Sequence, residues 1–134
     1  MKNVIQNKEA TISILKVLMN EIRNGILCTS TVKNSLQNVQ VVHTKEMDRY
    51  GNLFFIFSSD SKHYHNLQTN KEIKLIYTIP DRSELLMIIG TAETSSNIST
   101  IERYWSPYNT KDFDKGKTDP TIRVLIIVIE YSKI

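Results

Sequence analysis

One cysteine, three histidines and no long apolar run set the first limits on this chain of 134 residues. The lone thiol, Cys28, excludes an intramolecular disulfide and any zinc site built on several cysteines. It falls in Ile26-Leu27-Cys28-Thr29, a strand-like context in which a buried, inert thiol is the expectation, not a nucleophile. His43, His63 and His65 are too few and too loosely spaced for a metal site, and His63 and His65, two apart on a helix, face different directions. No Gly-x-Ser-x-Gly turn occurs, so nothing points to a Ser-His-Asp triad, and no catalytic residue can be named. The longest apolar runs, residues 85–89 and 124–129, fall far short of the roughly 20 residues of a membrane helix. The first nine residues lack the apolar core of a signal peptide, so the expectation is a soluble, cytoplasmic protein. Internal repeats, low-complexity tracts and linkers are missing too, and residues 1–134 read as one domain.

The charges lack any block of one sign. Lys and Arg number 17 against 14 Asp and Glu, interspersed along the chain, which speaks against a nucleic-acid or membrane partner. The slight positive balance suits a small anionic ligand and identifies none. Hydrophobic residues make up 40%, enough for a core that needs no metal or disulfide.

Apolar spacing gives the elements. Asn7 can cap a helix with Ile12, Leu15, Leu18, Met19 and Ile22 on one face, and Gly25 is expected to end it. The period then changes to that of strands. Residues 26–32 and 39–44, rich in β-branched side chains, are joined by a turn at Lys33-Asn34-Ser35, and a second turn at residues 48–52 leads to a strand at 53–57. Ile73, Leu75, Tyr77 and Ile79 alternate with Glu72, Lys74 and Thr78 in a half-buried strand. Pro80-Asp81-Arg82-Ser83 turns the chain into residues 85–92, apolar on both faces, so both need a cover, and a partner subunit is one. Asn97 or Ser99 can cap a helix through Ile101, Tyr104 and Trp105, with the indole expected in the core. A polar loop, 106–120, precedes a last strand, 122–131. Six strands with hairpin connections predict a mainly β chain: an antiparallel six-stranded β-barrel with peripheral helices. Side chains fill a barrel of that size, so a ligand must lie on its wall or between subunits.

The most telling stretch runs from residue 50 to residue 70: a turn, an apolar strand, Ser58-Ser59-Asp60-Ser61-Lys62-His63, then a short helix. Serine hydroxyls, helix-start N–H groups, a Lys and a His brought to one point can hold a phosphate or another anion. Equally, Ser59, Asp60 or Ser61 can simply cap a surface helix.

This junction, with Thr69-Asn70-Lys71 at its far end, resembles the strand, Ser-Arg-Lys, helix, Asn-Pro arrangement of the pyridoxamine 5′-phosphate oxidase-like flavoproteins. Residues 101–105 with Trp105, then Phe113-Asp114-Lys115-Gly116-Lys117-Thr118-Asp119-Pro120, then the terminal strand, are similar to the signature of that superfamily's general stress protein 26 subgroup. The resemblance spans almost the whole chain. It implies a split β-barrel homodimer with FMN in a groove at the subunit interface, and a flavin-dependent oxidoreductase acting on a small molecule it does not identify. The cofactor-binding positions it implies are Gln40, Val41, Val42 and Lys45 on the second strand, Ile56, Phe57, Ser58 and Ser59 at the end of the third, and Lys62 and His63 at the helix start. The flavin phosphate is expected on Ser58, Ser59, Lys62 and His63.

Three positions depart from the family pattern. Gln40 stands where the family has a phosphate-binding Arg, His63 where it has a Lys, and Leu85 where some members offer a Gln to the flavin ring. Losing one charge-assisted contact costs about 1.5–3 kcal/mol, so FMN is expected to be held loosely. The same departures motivate the alternative, a non-enzymatic dimeric protein that binds or sequesters flavin or another phosphate ligand, or has lost it. Pyridoxamine 5′-phosphate oxidase activity itself is not expected, since the chain ends at Ile134 without the longer C-terminal substrate-binding segment of those enzymes.

Overall fold

Alternating apolar residues make most of this chain strand, and the strands share one sheet. The computed structural model describes residues 4–5, 8–21, 23–33, 35, 37–79 and 83–134. In chain order these form β1 (Val4–Ile5), α1 (Lys8–Glu21), β2 (Asn24–Thr29), β3 (Asn38–His43), β4 (Glu46–Met47), β5 (Leu53–Ser58), α2 (Lys62–Thr69), β6 (Glu72–Ile79), β7 (Glu84–Ser95), α3 (Ile98–Tyr104), 3₁₀ turns at Pro107–Asp112 and Gly116–Thr118, and β8 (Ile122–Lys133). The expected cap at Asn7, the helix position Ile22, the side chain of Met19, the turn residue Asn34 and the turn at Pro80-Asp81-Arg82 lie outside the described residues. No helix among the described residues is long and apolar enough to cross a membrane.

Every pairing is antiparallel, in the order β3-β2-β6-β7-β8-β5-β4, with β1 added on β8. The two ends of that order, β3 and β4, are consecutive in the chain. The N–H of Thr44 donates to Arg23 O and that of Lys45 to Phe54 O, both at 2.8 Å. Adjacent residues thus bond to opposite ends of the sheet, and β3 and β4 are two halves of one bent strand that closes it. Counted this way, the barrel has the six strands expected from the sequence. Beyond the bend, β3 pairs with β2 and the far half of β5 with β8, and the two are not paired with each other. The barrel is split there.

Inward side chains fill the interior: Leu27, Leu53, Phe55, Ile73, Leu75, Tyr77, Leu86, Ile88, Leu125 and Ile127 are all buried, with Leu15 and Leu18 of α1 in the same cluster. The bend is pinned from inside by a hydrogen bond of 2.6 Å between the buried Thr44 and Tyr77 hydroxyls. Tyr77 also explains Gly25. This glycine does not end α1, which stops at Glu21; it lies in β2 opposite Val42, and a Cβ there would stand 2.8 Å from the Tyr77 ring. β2 leaves the sheet at Thr29, short of the expected residue 32, where the Gln37 side chain takes the Thr31 N–H at 2.9 Å. Asn97, not Ser99, caps α3 by accepting from the Thr100 N–H. Trp105 is half-buried and packs on the buried Phe113, with ring centres 5.6 Å apart, so it covers the core's edge instead of entering it.

The long pair β7 and β8 shifts register between Ile89 and Gly90. A Cβ on Gly90 would lie 2.2 Å from the Val128 carbonyl oxygen, whereas a Cβ on Gly116, at φ +62, would have nothing within 4 Å. Gly90→Ala should therefore cost about 3 kcal/mol through a backbone clash, and Gly116→Ala about 1–2 kcal/mol from its left-handed conformation alone. Urea denaturation of both variants checks the order, and equal losses would contradict the close approach of β7 and β8.

Candidate functional site

The split leaves a cleft of about 220 Å³ on the barrel wall. One side is β3, through Gln40, Val41, Val42 and His43; the other is the far half of β5, through Phe55, Ile56, Phe57 and Ser58. Ser61 and His63 close one end, and Tyr108, Asn109, Asp112 and Phe113 from the first 3₁₀ turn lie across it. The cleft is a direct consequence of strands diverging above a bend, and it offers apolar walls with polar groups at its ends.

Of the positions named from sequence, Gln40, Val41, Val42, Ile56, Phe57, Ser58 and His63 line this cleft together. Lys45, Ser59 and Lys62 do not line it. Lys45 sits at the bend, where its Nζ donates to Ser106 Oγ at 2.9 Å and lies 5.6 Å from the centre of the Tyr108 ring. Its partial burial lowers its pKa. The Ser59 N–H donates to Thr121 O at 2.8 Å, tying the junction to the residue before β8, and Lys62 lies at the first position of α2, outside the cleft. Leu85, on β7, is 53% exposed and outside the cleft.

The junction's own serines use part of its hydrogen-bonding capacity. Ser61 caps α2 by accepting from the Tyr64 N–H at 3.1 Å, and Ser58 Oγ accepts from the Asp60 N–H at 3.0 Å. His63 faces inward: it is 5% exposed, with Nδ1 2.6 Å from Thr29 Oγ1. Asn66, one turn further along α2, donates to Thr29 Oγ1 at 3.0 Å and to Asn38 Oδ1 at 2.6 Å. Burial pushes the His63 pKa down, so this end of the cleft is polar and uncharged. The other end, towards the bend, carries His43. His43 donates through Nδ1 to Asn24 Oδ1 at 3.1 Å, its ring centre is 5.2 Å from that of Tyr108, and burial, then Lys45 and Arg23, lower its pKa.

Tyr108, Asn109 and Asp112 fall in the stretch that reads from sequence only as a polar loop. Ser106-Pro107-Tyr108-Asn109 does carry a signal: a Ser followed by Pro, with an amide three residues on, is a helix-start pattern. In the structure Ser106 N–H donates to Asn109 Oδ1 at 3.2 Å, which fixes the turn over the cleft. Thr29 has no such signal, because its importance arises from a contact 34 residues away. A wider groove of about 640 Å³ between α3 and the start of β8 is lined by Lys117, Thr118, Asp119 and Pro120 of the signature stretch and by none of the cofactor-binding positions named from sequence. Among the described residues no three His, Cys, Asp or Glu side chains are grouped to hold a metal ion.

The model of the family described as pyridoxamine 5′-phosphate oxidase like matches residues 10–133. No curated protein matches the chain. Among solved structures, it is similar to a protein related to general stress protein 26 from Clostridium acetobutylicum, at 17% identity and TM-score 0.75, covering 96% of this chain and 90% of that one. General stress protein 26 from Bacillus anthracis gives 14% identity and TM-score 0.74, over 90% of this chain and 92% of that one. The general stress FMN/FAD binding protein of Xanthomonas citri gives 19% identity and TM-score 0.72, over 94% and 87%. At these identities the structural likeness is one of fold.

Two imidazoles make stability depend on pH. His63 and His43 have folded pKa values below the ordinary 6.5, so below that pH the unfolded chain binds protons that the folded one does not. Their contribution is complete above about pH 6.5 and is lost as pH falls through the folded values. Urea midpoints should therefore hold above about pH 6.5, drop as pH falls below it, and drop less in His63→Gln. An identical pH slope in the variant would mean that His63 does not carry the effect.

Proposed function

The chain belongs to the pyridoxamine 5′-phosphate oxidase-like family, and on that premise we propose that its cleft binds flavin as FMN, between two copies of the chain, in a flavin-dependent oxidoreductase acting on a small molecule. The observation that carries this reading is the convergence of Gln40, Val42, Ile56, Phe57, Ser58 and His63 on one cleft at the barrel's split. The donor set fits the group. Val42, Ile56 and Phe57 offer apolar contact to a flat ring, and Ser58, His63 and Gln40 offer hydrogen-bond donors to phosphate or ribityl oxygens. Ser59 and Lys62 are next to that end, with Lys62 exposed to meet a phosphate from outside. Lys45 stands near the opposite end, beside Tyr108.

When bound, flavin supplies the electron and hydride chemistry, and the protein's part is to bind, orient and shield. Shielding is where the second copy enters. A cleft of about 220 Å³ is smaller than the roughly 300–1,000 Å³ of pockets that enclose such ligands, so a second wall is needed. The outer faces of β3 and of β2 beside it are apolar and open: Ile26, Val39 and Val41 are 36%, 58% and 65% exposed, while Leu85, 53% exposed, lies two strands beyond β2 on β7. A patch of this kind marks an interaction surface. Val41→Asp should thus shift the protein from dimer to monomer in sedimentation and weaken FMN binding with it. A variant that stays dimeric would remove this face from the interface.

A second reading, a non-enzymatic flavin or phosphate-ligand binding protein, is favoured by the uncharged end formed by Gln40 and His63. The tests separate the two. Titration with FMN should quench flavin fluorescence; no quenching at about 50 µM protein, weaker than about −6 kcal/mol, would sink the flavin reading. Bound FMN that no electron donor reduces would favour the binding protein. Lys62→Ala should weaken FMN roughly tenfold and Lys115→Ala, exposed and outside the cleft, should not. Equal effects would move the phosphate elsewhere.

A further inference from the structure

We propose that the buried Thr29 and Asn66, with the half-buried Asn38, form a relay that fixes His63 as a neutral imidazole protonated on Nε2, so that the cleft presents its ligand with an uncharged N–H donor. Only the identity of the ligand rests on the flavin reading; the relay is a property of the free protein.

The protons along the relay can be counted. Asn66 has two amide protons, and both are used: Nδ2 donates to Asn38 Oδ1 at 2.6 Å and to Thr29 Oγ1 at 3.0 Å. Thr29 Oγ1 therefore accepts from Asn66 and has one proton of its own to place. Thr29 is 1% exposed, so water does not take it. The acceptor in reach is His63 Nδ1, 2.6 Å away. A hydroxyl can donate to Nδ1 only if that nitrogen carries a lone pair, which puts the ring proton on Nε2. The reverse arrangement, Nδ1–H donating to Thr29, would strand a buried hydroxyl proton, a penalty that favours the first tautomer by roughly tenfold or more. The hydrogen bond of His63 to protein runs through Nδ1, and His63 is one of the side chains lining the cleft. The Nε2–H is the donor the cleft can use.

The surroundings keep the ring uncharged. β2 and β5 bring Leu27, Thr29, Phe55, Ile56, Phe57 and Ser58 to this end, none of them ionised. Besides His63, the titratable groups that line the cleft are His43 on β3 and Tyr108 and Asp112 on the 3₁₀ turn, and Lys62 on His63's own helix lies outside it. Burial opposes protonation further. The group recognised at His63 is therefore a hydrogen-bond acceptor, such as a phosphoryl, hydroxyl or carbonyl oxygen, and its recognition does not require an imidazolium. Thr29 and Asn66 act through His63 and are positioning residues.

The test is a long-range ¹H–¹⁵N correlation spectrum of the imidazoles in the full chain without ligand, near neutral pH, with His43 and His65 identified by His→Gln substitution. His63 is expected to show a lone-pair Nδ1 and a protonated Nε2. Thr29→Val should shift it towards mixed tautomers, while Thr29→Ser, which keeps the hydroxyl, should retain the wild-type pattern. A protonated Nδ1, or the imidazolium pattern, in the wild-type spectrum overturns the proposal, and that spectrum decides even where Thr29→Val does not fold. Addition of FMN should then move the Nε2 resonance, and an Nε2 unmoved by bound FMN overturns its role as ligand donor. The expected tautomer in a protein that binds no FMN would support the relay and overturn the flavin reading alone.

Discussion

Everything in this fold hangs on one bend. At Thr44 and Lys45 successive backbone N–H groups bond to Arg23 O on one end of the sheet and Phe54 O on the other, each at 2.8 Å. A sheet that twists must either leave edges or close, and here a single strand serves both ends. The bend is held from inside by the Thr44 and Tyr77 hydroxyls, and from outside by Arg23 Nη1, which donates to Lys45 O at 2.9 Å. Burial pushes the Tyr77 pKa upward, which keeps its phenol a neutral partner for Thr44. Gly25 leaves the room that the Tyr77 ring needs. Closure at this one point lets β3 and β5 diverge above it, and the cleft is the space between them.

A filled interior makes that cleft matter. With Leu27, Phe55, Leu75, Tyr77 and Leu125 occupying the barrel, binding happens on the wall or nowhere in it. The wall's chemistry is graded along the cleft. At the α2 end the donors are uncharged: Gln40, Ser58 and a buried His63 tied to Thr29. At the bend end, burial first, then Lys45 and Arg23, lower the His43 pKa. Beside the cleft the outer face of β3 is apolar and exposed at Val39 and Val41.

Much of this architecture is legible in local patterns of the chain. Period-two alternation in Ile73, Leu75, Tyr77 and Ile79 locates β6, and Ile73, Leu75 and Tyr77 are indeed buried. The six long strands, the short helix after Ser58 and the capping of α3 by Asn97 are within reach of local rules because each depends on neighbours in sequence. Gly25 defeats such rules for the same reason: they see a glycine after a helix, and the deciding contact is with the ring of Tyr77, far along the chain. The Ser106 turn is visible as a pattern, whereas its place over the cleft is not.

Hydrophobic period and capping chemistry are properties of adjacent residues, and they suffice for the class of fold, the order of the elements and the junction at residues 58–63. Which of those residues meet is a matter of tertiary contacts. Lys62 and His63 are neighbours in the chain, yet Lys62 stays outside the cleft while His63 is 5% exposed against Thr29. A helix turns about 100° per residue, so consecutive side chains leave in different directions. Which direction is the cleft depends on where β3 bends across to β5, and that is set by contacts far apart in the chain.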